Sequence, residues 1–218
     1  NSAIKLPYWH KGKLTSEDDH KMPLDFVQGA GLINAWPAFL TLEAGNFKPG
    51  LCQPLGWDIN KLSSEFDYQN AYYFEVSDPG SQIISATLAW NKYYQQEYPF
   101  EQLEHLDNDL RVEIWAVDPE NPQNDYLLDY SDSENNNVEH IYCKTDKNYS
   151  SYEVIVKPGQ DEKQYHLNDS GQSYAIAWQL NQQKSQKDFN WYDLNCDGKL
   201  NQEDMNTLMI NWLTSARN

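Results

Sequence analysis

The sequence has little of several residue types, and each shortage excludes a class of protein. It holds 3 Cys among 218 residues, at positions too far apart for a CxxC metal or haem site. Basic residues are scarce as well: 16 Lys and Arg stand against 33 Asp and Glu, which gives a net charge of −17. A field of this sign repels nucleic acids and anionic membranes and attracts divalent cations, although scattered carboxylates also serve solubility alone.

Long apolar runs are missing too, which excludes an ordinary transmembrane helix, because about 18 apolar residues are needed to span a bilayer. The chain opens with Asn1 and has no initiator Met, which predicts a processed or excised piece of a longer protein. One disulfide between Cys52 and Cys143 is compatible with an oxidising compartment, but the sequence leaves this pairing open. Cys196 is expected to be a free thiol.

Aromatic residues are abundant, with 8 Trp, 15 Tyr and 7 Phe, and much of this material falls in short alternating segments over residues 71–180. In residues 83–90 the alternation places Ile84, Ala86, Leu88 and Trp90 on one face. Similar segments, separated by Pro, Gly and Asn turn signals, cover residues 71–76, 110–117, 138–142, 152–156 and 174–178. About seven such strands predict a mainly β fold, an antiparallel, jelly-roll-like β-sandwich.

Other patterns lie on either side of the predicted sandwich. Gly29 and Gly31 mark a tight turn, and residues 32–40 carry apolar side chains at helical spacing, so we expect a short N-terminal helix that Pro37 kinks or shortens. Residues 181–187 are polar and suit a linker. We therefore predict three parts: an N-terminal region with a linker (1–60), the sandwich (61–182) and a C-terminal loop–helix motif (183–218).

The strongest functional signal lies in residues 193–204, which match the twelve-residue EF-hand calcium loop. Oxygen-bearing side chains occupy loop positions 1, 3, 5, 9 and 12, and Gly198 at position 6 allows the sharp turn. Calcium takes about six to eight hard oxygen ligands in a forgiving geometry. An Asp- and Asn-rich turn that only caps the following helix would explain fewer of these matches. The predicted Ca²⁺ ligands are Asp193, Asn195, Asp197, the carbonyl oxygen of Lys199, Asn201 and Asp204.

The loop has Asp at position 12, where calmodulin-like loops have Glu. Its pattern, Asp-x-Asn-x-Asp-Gly-x-Leu-Asn-x-x-Asp, resembles the dockerin repeat, and the helical segment that follows is similar too. Dockerins carry two such repeats and bind cohesin domains, whereas one repeat is visible here. The resemblance implies an EF-hand-like calcium clip that supports folding, rather than cohesin binding.

Further stretches resemble the secreted subtilisin-like proteases, or subtilases. Residues 24–35 resemble the end of the subtilase catalytic domain, where a Gly-x-Gly turn precedes the last helix. Residues 85–91, 106–110 and 136–141 resemble the β-sandwich that follows this domain in many family members. The resemblance implies that residues 1–60 are the remnant of a catalytic-domain end with its linker, and that the chain is extracytoplasmic.

The family's Gly-Thr-Ser-x-Ala nucleophile motif does not occur in this sequence. We therefore predict that the chain itself is not an enzyme, while its parent protein is implied to be a subtilisin-like serine protease. Its histidines are expected to be surface or core residues, because no recognisable nucleophile elbow accompanies them. They are His10, His20, His105, His140 and His166.

The same resemblance suggests a second calcium site in the sandwich. Asn108, Asp109 and Glu139 match family positions, but Arg111 replaces an Asp of the family pattern. A guanidinium beside a cation is unfavourable, so turns and hydrogen-bonded loops are the alternative explanation for these residues.

Three functions follow from these observations. The leading one is a non-catalytic, calcium-binding C-terminal module that stabilises or assembles a larger extracytoplasmic complex through a protein partner. The cleaved N-terminal protease-like part is the candidate partner. The first alternative is a processed fragment of a subtilisin-like protease whose catalytic part is missing from this chain. The second alternative is a carbohydrate-binding sandwich, because sandwiches with aromatic loops often bind glycans.

Overall fold

The structure is a computed structural model, and it describes residues 1–6, 8–12, 19–62, 69–101, 103, 109–159 and 171–182. The chain divides into two units, Asn1–Gln182 and Gln183–Asn218. The second unit, with the predicted loop–helix motif and all six predicted calcium ligands, lies outside the described residues.

The described part of the first unit contains one α-helix and nine strands. The helix is α1 (Ala35–Ala44), and the strands are β1 (Gly50–Leu51), β2 (Leu55–Leu62), β3 (Asn70–Glu75), β4 (Gln82–Trp90), β5 (Leu110–Val117), β6 (Tyr126–Ser131), β7 (Val138–Lys144), β8 (Ser151–Pro158) and β9 (Gln172–Gln182). One sheet has the order β1-β3-β8-β5-β6 and the other β2-β9-β4-β7. Apart from β1 with β3, these neighbours are antiparallel. The predicted mainly β, sandwich-type fold is confirmed.

The core lies between the two sheets, where alternate side chains of the strands meet. Ile84, Ala86, Leu88 and Trp90 of β4 are all buried, which confirms the face predicted from alternation. The largest fully buried side chains are Trp178, Tyr72, Tyr152 and Phe74. The abundant aromatic residues therefore fill much of the space between the sheets.

Three strands, β1, β2 and β6, lie outside the set that we predicted. Strand β2 pairs with β9 along its whole length, from Leu55 opposite Gln179 to Leu62 opposite Gln172. It carries Asp58, which is buried and accepts a hydrogen bond of 2.8 Å from the hydroxyl of Tyr72. Gly, Asp and Asn residues are disfavoured in strands, which hid β2 in the sequence.

The predicted N-terminal helix is α1, and the side-chain oxygen of Asn34 caps it by accepting a hydrogen bond from the Trp36 amide at 3.3 Å. Contrary to our expectation, Pro37 does not cut the helix short. It lies in the first turn, where backbone amides have no intrahelical partner. Trp36, Phe39 and Leu42 are exposed, so the outer face of the helix is apolar.

We call residues 1–32 the N-terminal segment, and its described part lies along the edge where β6 and β7 end the two sheets. The backbone of Ile4 pairs with that of Leu32, and the amide of Asp132 donates to the carbonyl of His20 at 2.8 Å. The predicted glycine turn is present, and a Cβ on Gly31 would lie 2.3 Å from the Ile4 carbonyl oxygen. The segment thus covers an edge that otherwise offers unpaired backbone groups.

Candidate functional site

Two sets of polar side chains lie at the β6/β7 edge, under and beside the N-terminal segment. One set contains the carboxylates of Asp109, Asp132 and Glu139, which we call the carboxylate cluster. A second set joins Lys5 to His140. The predicted calcium loop is not among them, because residues 193–204 lie outside the described part of the chain.

Glu139 is the most deeply buried member of the carboxylate cluster, and none of its surface is exposed. Its Oε1 accepts a hydrogen bond of 2.8 Å from the Ser133 amide, and its Oε2 accepts one from the Ser131 hydroxyl. Burial raises the pKa of Glu139 to about 8, and the charges of Asp109 and Asp132 act in the same direction against the two hydrogen bonds.

Asp109 precedes β5 and approaches Asp132 beside Gly159. A Cβ on Gly159 would lie 2.6 Å from Oδ2 of Asp109 and 3.2 Å from Oδ1 of Asp132, so glycine is required at this close approach. Burial, with the charge of Asp132, raises the pKa of Asp109 to about 7. Oδ1 of Asp109 is buried and accepts no hydrogen bond from the described residues.

Arg111 lies beside the cluster and compensates part of its charge. Its Nη1 donates to Oδ2 of Asp132 at 3.2 Å, its Nη2 donates to Glu113, and its guanidinium carbon lies 4.8 Å from the centre of the Tyr130 ring. Arg111 and Glu113 alternate with the apolar core residues Leu110, Val112 and Ile114 of β5, yet they are only 3% and 1% exposed. The pattern predicts which way a side chain points and does not reveal what covers it.

Only part of the second calcium site suggested above lies within the described residues. Asp109 and Glu139 do lie at the same edge, whereas Asn108 lies outside the described residues. The sequence analysis did not identify Asp132, which follows the unpredicted strand β6. The Asp-Ser-Glu run at residues 132–134 is a turn signal that could have indicated the end of this strand. Within the described ranges, no group of three or more His, Cys, Asp or Glu side chains is arranged to hold a metal ion.

Lys5, His140 and Thr87 form a polar chain in which His140 is buried and the other two are partly buried. Nζ of Lys5 lies 2.7 Å from Nε2 of His140, and Nδ1 of His140 lies 2.8 Å from Oγ1 of Thr87. Nζ also donates to the Ala30 carbonyl at 2.9 Å and lies 4.2 Å from the centre of the Trp9 ring. Burial lowers the pKa of Lys5 to about 7 and, with the neighbouring Lys5 charge, lowers the pKa of His140 well below its usual range.

The Thr87 hydroxyl beside the His140 imidazole resembles a nucleophile with its general base. His140 is 1% exposed, which leaves its ring no access to a substrate. Its second ring nitrogen contacts the amine of Lys5. In a catalytic triad, the corresponding nitrogen contacts an orienting carboxylate instead. The arrangement is therefore that of a structural histidine that anchors the N-terminal segment.

A second anchor joins the N-terminal segment to β6. Oδ1 of Asp129 lies 3.7 Å from Nζ of Lys11 and 3.3 Å from Nδ1 of His20. The hydrogen bond with Asp129 raises the pKa of His20, whose ring stacks on Tyr130 with 4.0 Å between centroids. The same carboxylate thus contacts both a lysine and a histidine of the segment.

The remaining predicted residues are placed as follows. The backbone amide of His10 donates to Asp25 and its Nδ1 lies 2.7 Å from the Lys11 carbonyl, while His105, His166 and Cys196 lie outside the described residues. Cys52 and Cys143 are not joined by a disulfide, and burial raises the pKa of Cys52 to about 12. The thiol of Cys52 packs in the core as a small apolar group.

In the described ranges of the chain, no helix is both long and apolar enough to cross a membrane. Comparison of the sequence with protein-family models and with curated proteins finds no match.

Proposed function

We propose that the chain is a non-catalytic, calcium-binding module that stabilises or assembles a larger extracytoplasmic protein. The observation that carries the proposal is the oxygen-ligand pattern of residues 193–204, with glycine at loop position 6. Without a cation, the carboxylates gathered in such a loop repel one another. Bound calcium removes that repulsion, so its binding free energy stabilises the folded loop.

The outer face of α1 supports the assembly part of the proposal. Trp36, Phe39 and Leu42 are exposed on the helix, and Ile33, just before it, is also exposed. Helices with apolar side chains on every face are normally covered, and contiguous exposed apolar surfaces mark contacts with other protein parts. A larger protein around this module would provide such a cover.

The alternative is a processed fragment of a subtilisin-like protease whose catalytic part lies elsewhere. It is favoured by the glycine turn before α1, because residues 24–35 resemble the end of the subtilase catalytic domain. Both proposals predict the same behaviour of the isolated chain: it binds calcium and a serine-hydrolase probe does not label it. An in-frame Gly-Thr-Ser-x-Ala motif in the precursor would favour the fragment.

Calorimetric titration of the full chain with CaCl₂ tests the calcium proposal. We expect one ion per chain with a dissociation constant of about 10⁻⁷–10⁻³ M, the range of sensor and extracellular loops. The double substitution Asp193→Ala with Asp197→Ala should weaken binding by at least about 10-fold, because it removes two charged ligands. The matched control Glu120→Ala removes an exposed carboxylate outside the loop and should bind as wild type. Equal binding by all three proteins would contradict the proposal.

A further inference from the structure

Four large aromatic side chains crowd the connection that follows β4. We call residues 91–101, together with Leu103, the aromatic loop. Tyr93, Tyr94, Tyr98 and Phe100 are all exposed, with Tyr98 at 86% and Phe100 at 56%. The rings of Tyr98 and Phe100 meet edge to face, with 6.1 Å between their centroids. Isolated exposed aromatics are ordinary, but four within eight residues form a surface of their own.

The aromatic loop is held by its own backbone hydrogen bonds. The amide of Leu103 donates to the Tyr93 carbonyl and the amide of Gln95 to the Glu101 carbonyl, both at 2.8 Å. A third bond of 2.8 Å, from the Phe100 amide to the Glu97 carbonyl, closes the tip. The rings are therefore carried by a hairpin that is already formed. Binding a partner then costs little conformational entropy for ordering the loop.

Phe100 lies at the tip of the loop, where its amide closes the turn through its hydrogen bond to the Glu97 carbonyl. Its φ is +58°, in the left-handed region that bulky residues avoid. The residue is 56% exposed, so the core does not cover its ring and a partner can reach it.

The charge around the rings indicates the kind of partner. Glu97 and Glu101 are exposed beside Tyr98 and Phe100, and the chain as a whole has a net charge of −17. The only Lys of the loop, Lys92, donates towards the Glu134 carbonyl at 3.5 Å, at the base of the hairpin. Aromatic faces and carboxylates both attract cations, whereas a neutral oligosaccharide gains nothing from this field.

We propose that the aromatic loop is a docking site for a basic polypeptide segment. Arginine side chains of that segment stack on Tyr98 and Phe100 and pair with Glu97 and Glu101, a combination suited to the planar guanidinium. The inference rests on the assembly part of the proposed function, because it names the chemistry of the protein partner. It does not require calcium at residues 193–204.

Fluorescence anisotropy of a labelled peptide with alternating Arg and Ser, titrated with the full chain, tests this proposal. Removing both rings with Tyr98→Ala and Phe100→Ala should weaken binding about 5- to 30-fold, the worth of two cation–π contacts. A Lys peptide should bind more weakly than the Arg peptide, because ammonium groups do not stack. Glu97→Gln with Glu101→Gln should lower the affinity and its dependence on NaCl.

Two controls separate docking from general attraction to an acidic protein. Tyr98→Phe keeps the ring and should bind within about 2-fold of wild type. The double variant Glu75→Gln with Glu120→Gln removes two exposed carboxylates outside the aromatic loop, and it should also bind the Arg peptide within about 2-fold of wild type. The proposal is overturned if the two double Gln variants weaken binding of the Arg peptide equally, or if the ring deletions have no effect in folded protein. It is also overturned if a neutral cello-oligosaccharide binds through Tyr98 and the Arg peptide does not bind. Calcium titration of the same samples shows separately whether the calcium proposal holds.

Discussion

The carboxylate cluster places acidic groups where solvent cannot screen them. Glu139 and Asp109 have pKa values raised to about 8 and about 7, with burial as the main cause. An acid whose pKa is higher in the folded than in the unfolded state binds protons on folding. Its unfavourable contribution is absent below the unfolded pKa and complete above the folded one, so stability falls as the pH rises between them.

The first prediction concerns Glu139→Gln, studied in chelator. We expect the wild type to lose stability between about pH 5 and pH 8, while the variant loses less, because one buried ionisation is removed. At about pH 8 the variant should be more stable by roughly 1–3 kcal/mol, measured by urea unfolding. Glu97→Gln, at an exposed carboxylate, should follow the wild-type profile. Parallel pH profiles for wild type and Glu139→Gln would contradict the prediction.

Single residues also show what a sequence cannot reveal. The inward face of β4 was predictable, because alternation is a local property. The burial of Asp58 was not: its partners include Asn46 at 3.1 Å and Asn60 at 2.9 Å, besides the hydroxyl of Tyr72. A buried carboxylate is tolerated where such donors converge, and their convergence depends on the tertiary fold.

At the scale of elements, six strands rich in β-branched and aromatic residues were found, whereas β1, β2 and β6 were missed. Strand β2 contains Gly, Asp and Asn, and β1 has two residues, so neither produced a pattern. The calcium loop stays a prediction, which the sequence alone could make because its proposed ligands lie within twelve consecutive residues. The carboxylate cluster left no such local pattern: the resemblance grouped Asp109 with Glu139, but Asp132 was missed, because the three lie in or beside separate strands that only the sheet order brings to one edge.

The N-terminal segment gives a prediction at this scale through Gly31→Val. The new Cβ would meet the Ile4 carbonyl at 2.3 Å, and a β-branched residue disfavours the φ of +105°. We expect the segment to detach, with a loss of roughly 1–3 kcal/mol in stability. Hydrogen exchange of β6 and β7 should then become faster.

Gly29→Asn is the matched control, because no atom lies within 4 Å of its Cβ position and Asn tolerates the φ of +57°. It should keep the exchange rates of the wild type. Unchanged protection of β6 and β7 in Gly31→Val would show that the segment does not cover this edge. Detachment also uncovers backbone groups that recruit other strands, so Gly31→Val should elute earlier in size-exclusion chromatography.

For the whole molecule, the net charge of −17 is the dominant electrostatic fact. Like charges destabilise a compact state, and added salt screens them. In chelator we expect the melting temperature to rise by about 3–6 °C between about 0.05 and 0.5 M NaCl, followed by circular dichroism. KCl at the same ionic strength should act equally, which identifies screening as the cause. A fall in melting temperature with either salt would contradict the prediction.

The position of β9 has a consequence for how the chain is made. It lies between β2 and β4 in the four-stranded sheet, yet it is the last of the described strands to leave the ribosome. Until it emerges, no strand joins β2 to the β4–β7 pair, and the sheet is divided into two parts. Such distant pairing makes folding slow and late. A nascent chain stopped short of residue 172 would therefore hold β2 without a neighbouring strand and β4 with one open edge, and such exposed edges attract chaperones.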